Sequence, residues 1–253
     1  MAVLRRYVGV IAAIAAVLIA WLQLPEDWPI SAPEGDLNTY VTWAFWILFV
    51  LTVVILFWDR NNPEATTVEV EGPAFARFLF SNTRAGLFWL PIRLFVGFSW
   101  LTSGWGKATG EGWLDGGSAL LGYWQNAVAV PEEGRPPITY DWYRDFIQYL
   151  IDAGAQDWFA YLVVAGELAV GLGLVLGALT GFAAFFGSLM NMSFMLAGSA
   201  STNPVLFTMA IGLILAWRVA GWYGLDRWLL PWLGTPWRSR PQLEEHRPEP
   251  GTG

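Results

Sequence analysis

The 253-residue chain has no cysteine, only one histidine and few charges, 14% Asp, Glu, Lys and Arg. Without cysteine it can form no internal disulfide, thiol relay or Cys-ligated zinc, and it can hold no iron–sulfur cluster of its own. The single histidine, His246, sits in a polar C-terminal stretch rich in Pro and Glu, so no haem or metal site is built from histidines in an apolar segment. Any redox cofactor must therefore diffuse in or be held by a partner. The net charge of −7 argues against nucleic acid as a partner.

What the chain does have is apolar length: 55% hydrophobic residues and 17 tryptophans. That composition reads as an all-α membrane protein. Residues 7–22 form an uncharged run after Arg5 and Arg6, read as a retained first helix rather than a cleaved signal because no small-x-small site follows. Residues 40–58 and 85–105 give a second and third span, with Pro91 near the start of the third, where a missing N–H costs least. From 158 to 217 the one charge is Glu167. Thr180-Gly181 is expected to end a fourth span, and SASTNP at 199–204 to end a fifth and start a short sixth.

Residues 108–157 form a loop rich in Trp and Tyr, with short interfacial helices expected at 117–127 and 141–153. Arginines cluster at the N-terminus, in the 59–84 loop and after 217, whereas 23–38 has only acidic charges. Both termini are thus placed in the cytoplasm of a prokaryotic cell by the positive-inside rule. The resulting division is a two-helix extension at 1–60, a cytoplasmic loop at 61–85, a four-helix core at 86–233 and a disordered tail at 234–253.

Five residues of the third span share one helical stripe. Arg93, Gly97, Trp100, Gly104 and Lys107 recur at spacings of 4, 3, 4 and 3. Arg93 and Lys107 are about 21 Å apart along the axis at 1.5 Å per residue, so they cannot share one small ligand. Glu167 lies about 15 Å into its own span, where it must be protonated or paired. An intramembrane ionisable group costs about 2.5–3.5 kcal/mol at a helix centre, and such groups mark sites. For each residue a structural reading stands beside the functional one. Lys107 either snorkels to an interface or binds substrate. Arg93 either fixes the bundle or tunes Glu167. Asn191 either bridges helices or touches a ligand. Trp100 either packs or stacks on a ring.

The segments RLFVGFSWLTSGWGK, WLDGGSALLGYW and WFAYLVVAGELAVGLGLVLGALTGFAAFFGSLMNMSFMLAGSASTNP resemble the DoxX/DoxD family over roughly 90–230, most closely its DoxD-like branch. The resemblance implies that the last four of six spans form a compact four-helix bundle. It also implies membrane-associated redox or sulfur metabolism, as in a thiosulfate:quinone oxidoreductase small subunit, with a diffusible quinone and a partner redox subunit. Arg93, Lys107, Glu167 and Asn191 fall on the family's polar core positions. On this basis Glu167 and Arg93 are the candidate catalytic residues, and Lys107, Trp100 and Asn191 the candidate quinone contacts. A non-catalytic scaffold for a redox enzyme, and a small-solute or proton transporter, are the competing functions.

Overall fold

The computed structural model describes residues 36–59 and 72–237, together with Ile11, Ile14, Ala15 and Leu18. Those four positions are helical; the rest of the expected first span, residues 61–71 of the 61–85 loop and residues 238–253 of the tail lie outside the described residues. The chain divides into two compact units, 1–71 and 72–253. In the first unit, α1 (Asp36–Asp59) carries the apolar run expected at 40–58.

The second unit begins with α2 (Ala74–Ser81) and a 3₁₀ turn (Thr83–Ala85), whose start is capped by Asn82 accepting from the Arg84 N–H at 3.0 Å. It continues with α3 (Gly86–Thr109), α4 (Ser118–Val128), α5 (Asp141–Asp152), α6 (Gln156–Leu176), α7 (Thr180–Leu196), α8 (Asn203–Leu215) and α9 (Asp226–Trp232). Among the described residues two stretches are long and apolar enough to cross a membrane, Thr83–Thr109 and Gln156–Leu176; α7 and α8 are shorter apolar helices.

α3 and α6 pack antiparallel on a seam of small residues. A Cβ on Gly97 would meet Val175 at 2.9 Å and Leu174 at 3.0 Å, and one on Gly104 would meet Leu168 at 3.0 Å and Glu167 at 3.1 Å. Gly171 faces the Leu101 backbone in the same way, at 2.7 Å. Lipid tails are as apolar as leucine, so close backbone approach of this kind supplies the packing that holds apolar helices together. Trp89, Val96, Trp100, Leu174, Leu206 and Leu213 fill the space between α3, α6 and α8. A separate cluster around Leu120, Trp124, Ile138, Ile147 and Leu150 joins α4 and α5 to the start of α6.

Two sequence expectations shift. Pro91 falls inside α3 rather than in its first turn, so the Leu87 carbonyl receives no helical N–H from that position. Thr180-Gly181 does not end the fourth span. α6 stops at Leu176 because Gly177 adopts a left-handed conformation at φ 63°, and Thr180 begins α7. The start of α7 is fixed by a residue far along the chain: the Asp226 carboxylate accepts from the Leu179 N–H at 2.6 Å and the Thr180 N–H at 2.9 Å. At the α7–α8 turn, Asn203 donates to the Ser199 carbonyl at 2.9 Å and Pro204 occupies the first turn of α8.

Candidate functional site

The stripe on α3 delivers its two cations to different ends of the bundle. Arg93 is 1% exposed and reaches the segment between α8 and α9, where it donates to the Tyr223 carbonyl at 3.0 Å. It lies against Gly177 and Gly224, and a Cβ on either would collide with its guanidinium. Two further guanidinium nitrogens, Nε and Nη1, make no hydrogen bond. Asp226, fully buried, supplies the nearby opposite charge while capping α7. No lining of the polar cavity described next includes Arg93.

Lys107, the only lysine in the chain, turns inward instead of snorkelling. Its Nζ pairs with Glu167 Oε2 at 2.9 Å, donates to Ser103 Oγ at 2.6 Å and sits 5.2 Å from the centre of the Trp113 ring. The Lys107 side chain is 20% exposed and the Glu167 side chain 0%. The structure therefore joins Glu167 to Lys107, and does not bring Arg93 to either.

Around this pair lies a cavity of about 310 Å³. Its wall carries Ser99, Ser103, Ser199, Ser201, Thr202 and Asn203, together with Trp100, Tyr123 and Phe194. Two buried polar atoms of lining residues make no hydrogen bond, Glu167 Oε1 and the Tyr123 hydroxyl; the Trp100 indole nitrogen is also unbonded but packs against Gly187 of α7. Buried polar groups are nearly always paired, and leaving one unpaired costs about 1–3 kcal/mol, so two at one cavity mark a place prepared for a polar guest or ordered water. Asn191 is fully buried on α7 with neither amide atom bonded; it shares a helix face with Gly187, which touches Trp100, but it does not line the cavity.

Tyr123 and Ser199 were not singled out from the sequence. An aromatic-rich loop conceals which ring turns inward, and SASTNP read as a turn signal rather than a wall. Burial pushes the Tyr123 phenol up to about 12; Tyr143 adds to this, and the Ser199 side chain opposes part of it without forming a hydrogen bond of good geometry. Tyr143 is also raised by burial, partly offset by the Ser193 side chain; its hydroxyl donates to the Ser193 carbonyl at 2.9 Å.

Residues 88–199 match the DoxX family model. That stretch includes Arg93, Trp100, Lys107, Glu167 and Asn191, and leaves Asn203, Tyr223 and Asp226 outside. No curated protein and no solved structure matches the chain. The DoxX match and the long apolar helices point to a membrane protein.

Proposed function

We propose that this protein is the quinone-handling membrane subunit of a redox system, with the quinone ring bound in the Lys107–Glu167 cavity. The observation that carries the reading is the buried ion pair itself: a fully buried carboxylate with one oxygen unbonded, lining a cavity together with its lysine partner and a tyrosine whose hydroxyl is unbonded. A quinone carbonyl is an acceptor and needs donors; Lys107 supplies one and Tyr123 a second. Reduction to the quinol takes two electrons and two protons. Glu167 is placed to pass protons to the ring oxygens, its charge balanced by Lys107. Asn191 supports Trp100 from the packed face of α7. Arg93 acts at a distance, by holding the far end of the bundle closed.

The electrons come from elsewhere, because the sequence holds no cysteine and its one histidine lies in the tail. A partner redox subunit supplies them or, in keeping with a DoxD-like role, two thiosulfate ions do, each giving one electron as they join through a new S–S bond to form tetrathionate. The same lack of an electron carrier favours a second reading, in which the protein only anchors a redox enzyme at a prokaryotic plasma membrane.

The test is the quinone content of protein purified in mild detergent, measured by mass spectrometry, beside Glu167→Gln, Lys107→Gln and Arg93→Gln. Near-stoichiometric quinone in the parent, lost in the Glu167 and Lys107 variants and kept in correctly folded Arg93→Gln, is the expected result. Background lipid quinone in all four overturns it and turns attention to the anchoring role.

A further inference from the structure

A second cavity, of about 650 Å³, runs along the outside of the bundle between α6 and α7 and reaches up to α4 and α5. Its lining is apolar. Along α7 it extends from Leu179 to Ala197, about 27 Å at 1.5 Å per residue, close to the roughly 30 Å thickness of a bilayer's hydrocarbon core. Phe182 is 66% exposed, Leu162 55% and Phe186 52%, so the groove opens sideways rather than being sealed in protein. Gly166, Ala169 and Gly173 keep its floor on α6 low.

The groove and the polar cavity share three lining residues, Leu120, Tyr123 and Phe194. Phe194 stands between two rings, 6.3 Å from Tyr123 edge to face and 6.5 Å from Trp100. Hydroxyls on the groove lining are otherwise spent: Ser193 donates to the Leu189 carbonyl and Tyr143 to the Ser193 carbonyl. The Tyr123 hydroxyl, on the shared wall, is not. An apolar slot of bilayer length thus ends at a free donor, with a buried ion pair behind it.

We infer that the groove holds the isoprenoid tail of a quinone, that the ring enters sideways from the bilayer past Phe194, and that Tyr123 is the positioning residue that receives its carbonyl. This rests on the quinone reading of the polar cavity. It adds a specificity: the ligand must be an amphiphile with a small oxygen-bearing ring and a long apolar tail. A tailless ring reaches the same polar cavity but leaves the groove unused.

The experiment measures binding of two probes, a decyl-tailed benzoquinone and the same ring without a tail, to the full chain in phosphatidylcholine nanodiscs. Concentrations are expressed per lipid, so that partitioning of the tail into the membrane cancels. Ala169→Trp fills the groove; Ala165→Trp places the same ring on an exposed part of α6 off the groove and is the control. The expected result is tailed-probe affinity reduced roughly tenfold or more by Ala169→Trp, with tailless binding within about twofold of the parent and Ala165→Trp neutral to both. Tyr123→Phe should weaken both probes. If both probes bind and Ala169→Trp alters neither, the groove is not the tail site, although the quinone reading survives. If neither probe binds the parent, the quinone reading falls and this inference with it. A tailed quinone carrying a photoreactive group at the tail end gives a readout on the unaltered chain: labelling of α6 and α7 groove residues supports the route, and labelling elsewhere overturns it. Retention of phospholipid in the groove that the tailed probe does not displace also overturns it.

Discussion

The two ends of α3 treat a buried cation in opposite ways. At the Arg93 end two glycines press on the guanidinium, a backbone carbonyl accepts one N–H while Nε and Nη1 stay unbonded, and both oxygens of Asp226 are committed to the start of α7. At the Lys107 end the pair borders a cavity, one carboxylate oxygen is unbonded, and hydroxyl-bearing residues surround it. A charge locked among backbone groups fixes a fold. A charge that borders open space is available to a guest. The same residue types on one helix thus serve two purposes, and the difference lies in what the neighbouring helices bring.

The strongest test of the closed end is Arg93→Met. It leaves Asp226 buried without its counter-charge, which should cost about 3–5 kcal/mol, read as a large fall in thermal stability in detergent or nanodiscs. Gly177→Ala should do comparable harm, since the methyl group meets the guanidinium and the residue must keep a positive φ. Combining Arg93→Met with Asp226→Asn should recover little, because the carboxylate also accepts two backbone N–H groups that an amide oxygen alone cannot serve. Full recovery in that double variant would mean that the Arg93 end is an ordinary ion pair, and the contrast between the ends would collapse.

The open end should respond differently. Lys107→Met strands Glu167 and should cost about 2–3 kcal/mol, less than at the closed end because the lysine is partly exposed and the carboxylate can take up a proton. The double variant Lys107→Met with Glu167→Leu should return to within about 1 kcal/mol of the parent, since apolar replacement of a buried pair is often neutral. Quinone should stay lost in that variant. Stability restored without binding is the signature of a pair kept for its chemistry; quinone bound normally by the double variant would assign it to packing.

The sequence showed the helical character, the positions of most apolar helices and the polar residues themselves, because period, length and the rarity of charge are local properties. It also showed that Arg93 and Lys107 could not meet at one ligand. It could not choose a partner for Glu167. Both cations sit on the same stripe of α3, and the choice depends on the antiparallel alignment of α6, which places Glu167 beside Gly104 and Gly177 beside Arg93. It also missed the α6–α7 boundary, since the residue that caps α7 is Asp226, distant in sequence. Tyr123 was hidden for a related reason: nothing local distinguishes it from the other rings of the 108–157 loop until α4 is laid against α6 and α7.

A smaller effect is expected where α5 is fastened to α7, at the lining of the apolar groove. Tyr143→Phe removes the bond from α5 to the Ser193 carbonyl and should cost about 1 kcal/mol, seen as a modest loss of thermal stability. If the α4–α5 cap holds the chamber wall in place, the same variant should also raise the dissociation rate of a tailed quinone by a few-fold, with Arg93 variants of similar stability showing no such change.

The smallest effect is the most direct probe of the wall between groove and cavity. The Tyr123 phenol is raised from 10.0 to about 12 in the folded protein, mainly by burial. The folded state therefore holds its proton at a pH where the unfolded chain has released it, and fewer protons bound in the unfolded state mean that stability falls as pH rises. Tyr123 contributes fully below pH 10, and its contribution is lost progressively between 10 and about 12. Ultraviolet titration of the phenolates should show a late-ionising tyrosine that Tyr123→Phe removes, and the variant's thermal stability should fall less steeply across that interval. Tyr143, raised in the same direction, leaves a residual slope in the variant that Tyr143→Phe then reduces. Ionisation of Tyr123 near the ordinary 10 would show water reaching the hydroxyl freely, and a wall open to water could not separate an apolar tail site from the charged pair behind it.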